Sequence, residues 1–167
     1  MDKQQKDIAK NATQRLRLRR ATASDLEVLV SHRRSMWVDM GEKGTTKLRE
    51  QDRAFRSWAR SQIKSRTLLG WVVETDRGRI AASGTLWLRP AVPRPGFLRG
   101  FQPFLLSMYT EPEWRRHGLA LRIVNEAIRW TRKEGFKEVL LHASPLGEKL
   151  YRSRGFQPML EMRLDVA

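Results

Sequence analysis

The sequence predicts one α/β domain in the broad sense, an α+β chain with strands at both ends and helices between them. Three observations carry the prediction. Apolar and basic residues alternate at a period of two near residues 16–19, short apolar strand-type runs lie within 69–88 and 104–110, and apolar residues recur at helical spacing near 25–40, 48–64 and 118–135. A strand, a helix and a strand follow one another between Phe104 and Ala143, which requires a parallel pair joined by a right-handed crossover. The chain is 167 residues long, enough for one core and too short for two.

The elements follow in order. Residues 1–14 are weakly patterned and read as a flexible or helical lead-in, so the domain proper is expected over 15–167. Leu16-Arg17-Leu18-Arg19 alternates as a half-buried strand. Ser24 is the expected N-cap of a first helix, with Glu27 completing a capping box. That helix should run from Asp25 to about Met40, with Leu26, Leu29, Val30, Met36 and Trp37 near one face, and His32 is expected on its surface. A second helix, Leu48 to Lys64, carries Phe55, Trp58 and Ile63 in a strongly charged stretch. Two strands, Leu69–Glu74 and Arg79–Leu88, flank the turn Thr75–Gly78 as a hairpin. Pro90 to Gly100 reads as a loop, Phe104 to Thr110 as a short apolar strand ended by Glu111-Pro112. Gly118 to Gly135 has the clearest helical spacing, through Leu121, Val124, Ile128 and Thr131. Val139–Ala143 reads as a buried strand, Leu146–Arg154 as a short helix, and Gln157–Val166 as a last alternating strand.

Composition limits the chemistry. The chain has no cysteine, which removes disulfides, thiolate catalysis and cysteine-ligated metals and suits a reducing cytoplasm. The three histidines, His32, His117 and His142, are too far apart in sequence to suggest a metal site, so no metal is expected. No apolar run is long enough to span a bilayer, and the N-terminus lacks a signal-type apolar segment; cytoplasmic location and no membrane partner are expected. The formal net charge is +15 and the pI near 11.2, which favours anionic partners.

Between the strand ending at Thr110 and the helix from Gly118 lies Glu111 to Ala120. The first amides of a helix have no internal partner and stand at the positive end of its dipole. Arg115 and Arg116 add fork-shaped donors, and Gly118 removes a β-carbon from the approach, so the turn reads as an anion cradle.

The same stretch, Arg115-Arg116-His117-Gly118-Leu119-Ala120, resembles motif A of the GNAT N-acetyltransferase superfamily, Arg/Gln-x-x-Gly-x-Gly/Ala. Downstream, Ser144, Gly147, Leu150-Tyr151 and Gly155-Phe156 resemble motif B, with Ser144 in place of the usual asparagine and Gly147 in place of the usual alanine. The resemblance spans about 16–166. It implies a GNAT fold, a mixed and mostly antiparallel sheet of roughly six to seven strands splayed at its parallel pair and flanked by about four helices. It further implies acetyl-CoA (coenzyme A) as cosubstrate. Met108, Tyr109 and Thr110 would offer backbone to the pantetheine arm; the amides of Arg115, Arg116, His117, Gly118, Leu119 and Ala120 would hold the pyrophosphate, and Ser144 would take one further hydrogen bond. Tyr151 matches the family's tyrosine acid, which protonates the departing thiolate as a neutral amine attacks the thioester in a ternary complex.

The base is open between Glu111, Asp39, His142 and a chain of water, and the side chain of His117 is expected to face solvent. The loop arginines Arg89, Arg94 and Arg99 suggest a small primary amine that also bears a carboxylate or phosphate. Acetylation of a macromolecule, such as a protein amine or charged tRNA, is the alternative that the basic surface allows, and a non-enzymatic nucleic-acid-binding module is the remote one. Members of the family often dimerise, so a homodimer is an open expectation.

Overall fold

The computed structural model describes residues 15–165, and the lead-in reading for 1–14 and the last position of the final strand lie outside the described residues. Five strands form one sheet in sequence order: β1 (Leu16–Arg20), β2 (Leu68–Thr75), β3 (Ile80–Pro90), β4 (Phe101–Thr110) and β5 (Leu140–Leu141). β1 to β4 are antiparallel neighbours, and β5 runs parallel to β4. Four helices accompany them: α1 (Leu26–Asp39), α2 (Thr45–Lys64), α3 (Leu119–Lys133) and α4 (Glu148–Arg152).

The sheet is covered on both faces. α3 turns Leu119, Ile123, Val124, Ala127 and Thr131 inward; Val124 and Thr131 are as expected, whereas Leu121 and Ile128 are only partly buried and Leu119 and Ile123 take the innermost places. They meet Trp71, Val73, Ala82, Leu86 and Leu105 from the strands, together with Trp114. On the other face Leu26 and Val30 of α1 and Phe55 and Ala59 of α2 pack on Leu68. Truncating a fully buried side chain such as Ile123 to alanine would cost about 2–5 kcal/mol.

The entry to α1 differs from expectation. Thr22, not Ser24, is the capping residue: Thr22 and Asp25 form the reciprocal capping box of a one-turn 3-10 helix, Ala23–Asp25, that leads into α1. Asp25 is better placed than Glu27 because Arg19 grips both its oxygens at 2.8 and 2.9 Å and also donates to Glu74 at 2.9 Å. This fork ties β1, the turn and β2 together and holds the Asp25 carboxyl down at about 2. Glu27 instead receives Arg56 of α2 at 2.9 Å.

The last strand does not form. Residues 157–165 run beside β5 without pairing, and Leu160, Met162 and Leu164 are exposed. The alternation at 157–166 records an amphipathic segment, and a ladder also needs a neighbour in register; the sheet therefore has five strands among the described residues rather than six or seven. The Pro90–Gly100 loop is found as expected to within one residue, between β3 and β4, with an isolated bridge joining Arg94 and Phe97.

Candidate active site

Two local distortions open the sheet where β4 meets α3. Opposite β3, residues Ser107 and Met108 occupy the space of one: Thr85 faces Leu106 and Ser83 faces Tyr109 across Gly84. Ser107 takes the left-handed conformation, φ 54°, that this bulge requires. Gly84 is the partner the bulge needs, since a β-carbon there would lie 2.2 Å from Met108 Sδ and 2.8 Å from Ile123 Cγ2. Beyond the bulge β4 and β5 no longer pair; their ladder comprises Phe104 with Leu140 and Leu105 with Leu141. The Glu111 amide donates to the Ala81 carbonyl at 2.9 Å, so by strand alternation Thr110 and Met108 turn their backbone groups toward the opening.

The turn into α3 supplies the second distortion. Trp114, buried in the core, anchors a 3-10 turn, Pro112–Trp114. Arg116 (φ 65°) and Gly118 (φ 72°) are then both left-handed, and Gly118 caps α3. Alternating left-handed residues turn successive amides toward one side and form a nest for an anion. The first amides of α3 add to it, and no acidic side chain lies in its first turn. Gly118 is called for by its φ rather than by crowding, because a β-carbon there meets nothing within 4 Å. Arg115 is held by three contacts: its Nε donates to the Thr110 carbonyl at 3.1 Å, its Nη2 to Asp39 at 2.5 Å, and its guanidinium lies 5.7 Å from the Tyr109 ring. Arg116 forms no ion pair among the described residues and is exposed.

These pieces enclose a cleft of about 450 Å³. Met108, Tyr109, Thr110, Arg115, Arg116, Gly118, Leu119, Ala120, Ser144 and Tyr151 all line it, so the positions singled out in two distant stretches of sequence converge. His117 does not line it. Its Nδ1–H donates to the Arg115 carbonyl at 2.8 Å and its ring edge meets Trp114, so the side chain props the turn from outside. Met36 and Asp39 of α1 and Met40 just after it also line the cleft, together with Leu146, Gly147 and Leu150.

Tyr151 is largely enclosed against Phe156, and burial pushes its phenol up to about 12. Ser144 accepts the amides of Gly147 and Glu148 on its carbonyl, at 2.9 and 3.0 Å, and so starts the turn that carries Tyr151.

The candidate bases have other occupations. Asp39 is paired with Arg115. His142 is exposed, 2.8 Å from Glu161. His32 is not on the surface: it is 2 % exposed, between Ser83, 2.8 Å from Nδ1, and Glu111, 3.3 Å from Nε2. Burial pushes His32 down to about 4 and Glu111 up, so the contact is a neutral imidazole beside a carboxylate rather than an ion pair. With Nε2–H toward Glu111, the Ser83 hydroxyl donates to Nδ1. A single histidine on an amphipathic helix gave no sign of this burial.

The arginines of the Pro90–Gly100 region point away from the cleft. Arg94 pairs with Glu138, Arg99 donates to the Glu134 carbonyl at 2.6 Å, and Arg89 lies over Phe104. They brace β5 and the end of α3, so they give no support to an anionic acceptor. Among the described residues no group of three or more His, Asp or Glu could hold a metal ion, and no helix is long and apolar enough to cross a membrane.

A splayed strand beside a helix-mouth anion nest defines the class, a coenzyme A-dependent acyltransferase fold. The Acetyltransferase (GNAT) family matches residues 28–156, most of the chain, and the chain belongs to that family. It is an acetyltransferase that uses acetyl-CoA. A GCN5-related N-acetyltransferase from Ralstonia eutropha is similar at 26% identity and TM-score 0.83, with 91% of this chain and 99% of that one covered. A predicted acetyltransferase with acetyl-CoA from Clostridium acetobutylicum shares the fold at 24% identity and TM-score 0.81, covering 92% and 96%. An aminoglycoside N-acetyltransferase in complex with CoA shares it at 18% identity and TM-score 0.69, covering 92% and 95%. The comparison with curated proteins gives no match.

Proposed function

We propose that this acetyltransferase moves the acetyl group of acetyl-CoA to the primary amine of a small acceptor, by direct attack within a ternary complex. The observation that carries the reading is the joining of the left-handed pair Arg116 and Gly118 to a β4 edge set free by the Ser107 bulge. A diphosphate fits the nest and the amides of Leu119 and Ala120, with Arg115 and Arg116 meeting its charge. The backbone of Met108 and the Thr110 amide suit an amide-bearing arm laid along the strand, the Thr110 carbonyl being held by Arg115. Ser144 can give one hydrogen bond from the β5 side.

Acetyl-CoA supplies the acetyl group as a thioester. The acceptor must reach its carbonyl as a free amine, and an alkyl amine with a pKa near about 10.4 has to lose a proton first. As the C–N bond forms and the C–S bond breaks, the thiolate needs a proton. Tyr151 is the group for it: its enclosure keeps the phenol protonated, and it faces the same cleft as Met108 and Thr110. The amine's proton leaves to water, since Asp39 and Glu111 are already engaged.

The reading includes a homodimer, supported by the outer edge of β5, unpaired among the described residues, and by the exposed Leu160, Met162 and Leu164 of the following segment. The test is thiol release from acetyl-CoA with a panel of small amines. Turnover with small amines supports the reading; turnover with protein or RNA-borne amines alone transfers it to a macromolecular acceptor, and turnover with none removes it.

A further inference from the structure

Arg33 is a half-buried cation with no paired acid among the described residues. Its guanidinium lies between the faces of Phe55, at 4.8 Å, and Trp37, at 5.6 Å. Nη1 donates to the Ser107 hydroxyl at 2.7 Å, while Nε is buried with no partner. No carboxylate pairs with it among the described residues, whereas its neighbours are matched: Arg34 by Asp52 at 2.5 Å, Arg56 by Glu27 and Arg115 by Asp39. A desolvated charge is costly unless paired, and burial lowers the pKa of Arg33.

Arg33 opens on a groove of about 370 Å³ between α1, α2, β3 and β4. Phe55, Trp58, Trp87 and Leu106 wall it; Trp58 meets Trp87 edge to face at 5.2 Å. Trp87 has its Nε1–H already bonded to Gln62 at 3.1 Å, so it shows the groove an apolar ring. Gln51, also in the groove, has both amide atoms buried and unpartnered. The groove thus holds a cation with no paired acid and an amide with no hydrogen-bond partner among the described residues, within an aromatic wall. Ser107, the residue Arg33 grips, directly precedes Met108 in the wall of the acetyl-CoA cleft.

We propose that this groove binds the acceptor, and that the acceptor is an amine carrying a carboxylate and an aromatic or other bulky apolar group. Arg33 and the Gln51 amide hold the carboxylate, and Phe55, Trp58 and Trp87 hold the apolar part. A planar carboxylate matches the guanidinium fork, and the groove is too apolar to favour a polyhydroxylated acceptor. The assignment rests on the acetyl-transfer reading above and names its substrate class; Arg33 acts on binding, not on the acetyl group.

Three matched acceptors, phenylalanine, phenylalanine amide and phenethylamine, test it by thiol release, beside thermal shifts with 3-phenylpropionate and phenyl phosphate without acetyl-CoA. The proposal expects the carboxylate-bearing amine to be used best. It expects Arg33→Gln to raise KM for phenylalanine about 10- to 100-fold while leaving phenethylamine and CoA affinity unchanged. Gln51→Leu, a milder change, should move KM in the same direction, and the 3-phenylpropionate shift should vanish in Arg33→Gln. Equal use of all three amines by a protein that binds CoA overturns the proposal and leaves the enzyme reading intact. A shift with phenyl phosphate alone overturns the carboxylate assignment. Loss of CoA binding in the parent protein instead removes the enzyme reading on which it rests.

Discussion

A β-carbon at position 147 would lie 2.8 Å from Cε2 of Tyr151, so the tyrosine ring occupies space that only glycine leaves open. Gly147 precedes α4 and Tyr151 sits four residues on, which puts the two on one helical face, with the Tyr151 amide donating to the Gly147 carbonyl at 3.2 Å. The glycine that departs from the family pattern therefore sets where the phenol stands. Gly147→Ala is expected to lower kcat by between about 10- and 100-fold, the cost of displacing the proposed proton donor by a fraction of its reach, with CoA affinity unchanged. Steady-state kinetics beside CoA calorimetry separates the two.

Tyr151→Phe removes the proton and keeps the ring packing on Phe156. kcat should fall by about 10²-fold or more. Because the phenol is pushed up to about 12, it stays protonated through neutral and mildly alkaline pH. kcat should show no alkaline fall below about pH 11 from this group, while kcat/KM rises toward the pKa of the acceptor amine. A pH–rate profile reads both, and the same kcat in the phenylalanine variant would show that another proton source is used.

Acid should weaken the fold in two windows. His32 is held down at about 4 against an ordinary 6.5, so the unfolded chain binds the proton first as pH falls. Its contribution is complete above about pH 6.5 and lost on the way to about pH 4, with a slope approaching about 1.4 kcal/mol per pH unit. The raised Glu111 offsets part of this slope. Asp25, held down at about 2 by Arg19, gives a second loss between about pH 4 and 2, worth about 2 kcal/mol in all. Urea unfolding at several pH values checks this: His32→Leu should flatten the upper window and Asp25→Asn the lower, whatever each does to the midpoint at pH 7.

Gly118→Val places a branched side chain at φ 72° where nothing crowds it, so its effect should fall on the backbone of the nest rather than on the core. CoA affinity should drop by about 10-fold or more, with a loss of stability of about 1–2 kcal/mol. Equal CoA affinity in the variant would mean that the amides beside Gly118 do not hold the diphosphate.

Sequence reasoning reached the parts that local chemistry dictates. The hairpin around Thr75–Gly78 and the apolar spacing of α3 were legible because each encodes its own periodicity or turn. The left-handed turn into α3 was legible because Gly118 with two arginines marks a helix mouth locally, and Gly118 does cap α3 at φ 72°. What escaped depends on partners distant in sequence. The Ser107 bulge is invisible until Gly84 stands opposite it, and His32 shows its burial only once Ser83 and Glu111 close over it. Thr22 displaced Ser24 as the cap because Asp25 was wanted by Arg19. The loop arginines read as ligand-binding until Glu138 and the Glu134 carbonyl took them.

The central claim is that the mouth of α3 grips the diphosphate of coenzyme A. Calorimetric titration of the unmodified protein with CoA and with pantetheine, which has the same arm but no diphosphate, tests it most directly. The account predicts that CoA binds at least about 100-fold more tightly, the worth of several charge-assisted hydrogen bonds. Equal affinity for the two, or none for CoA, would contradict it.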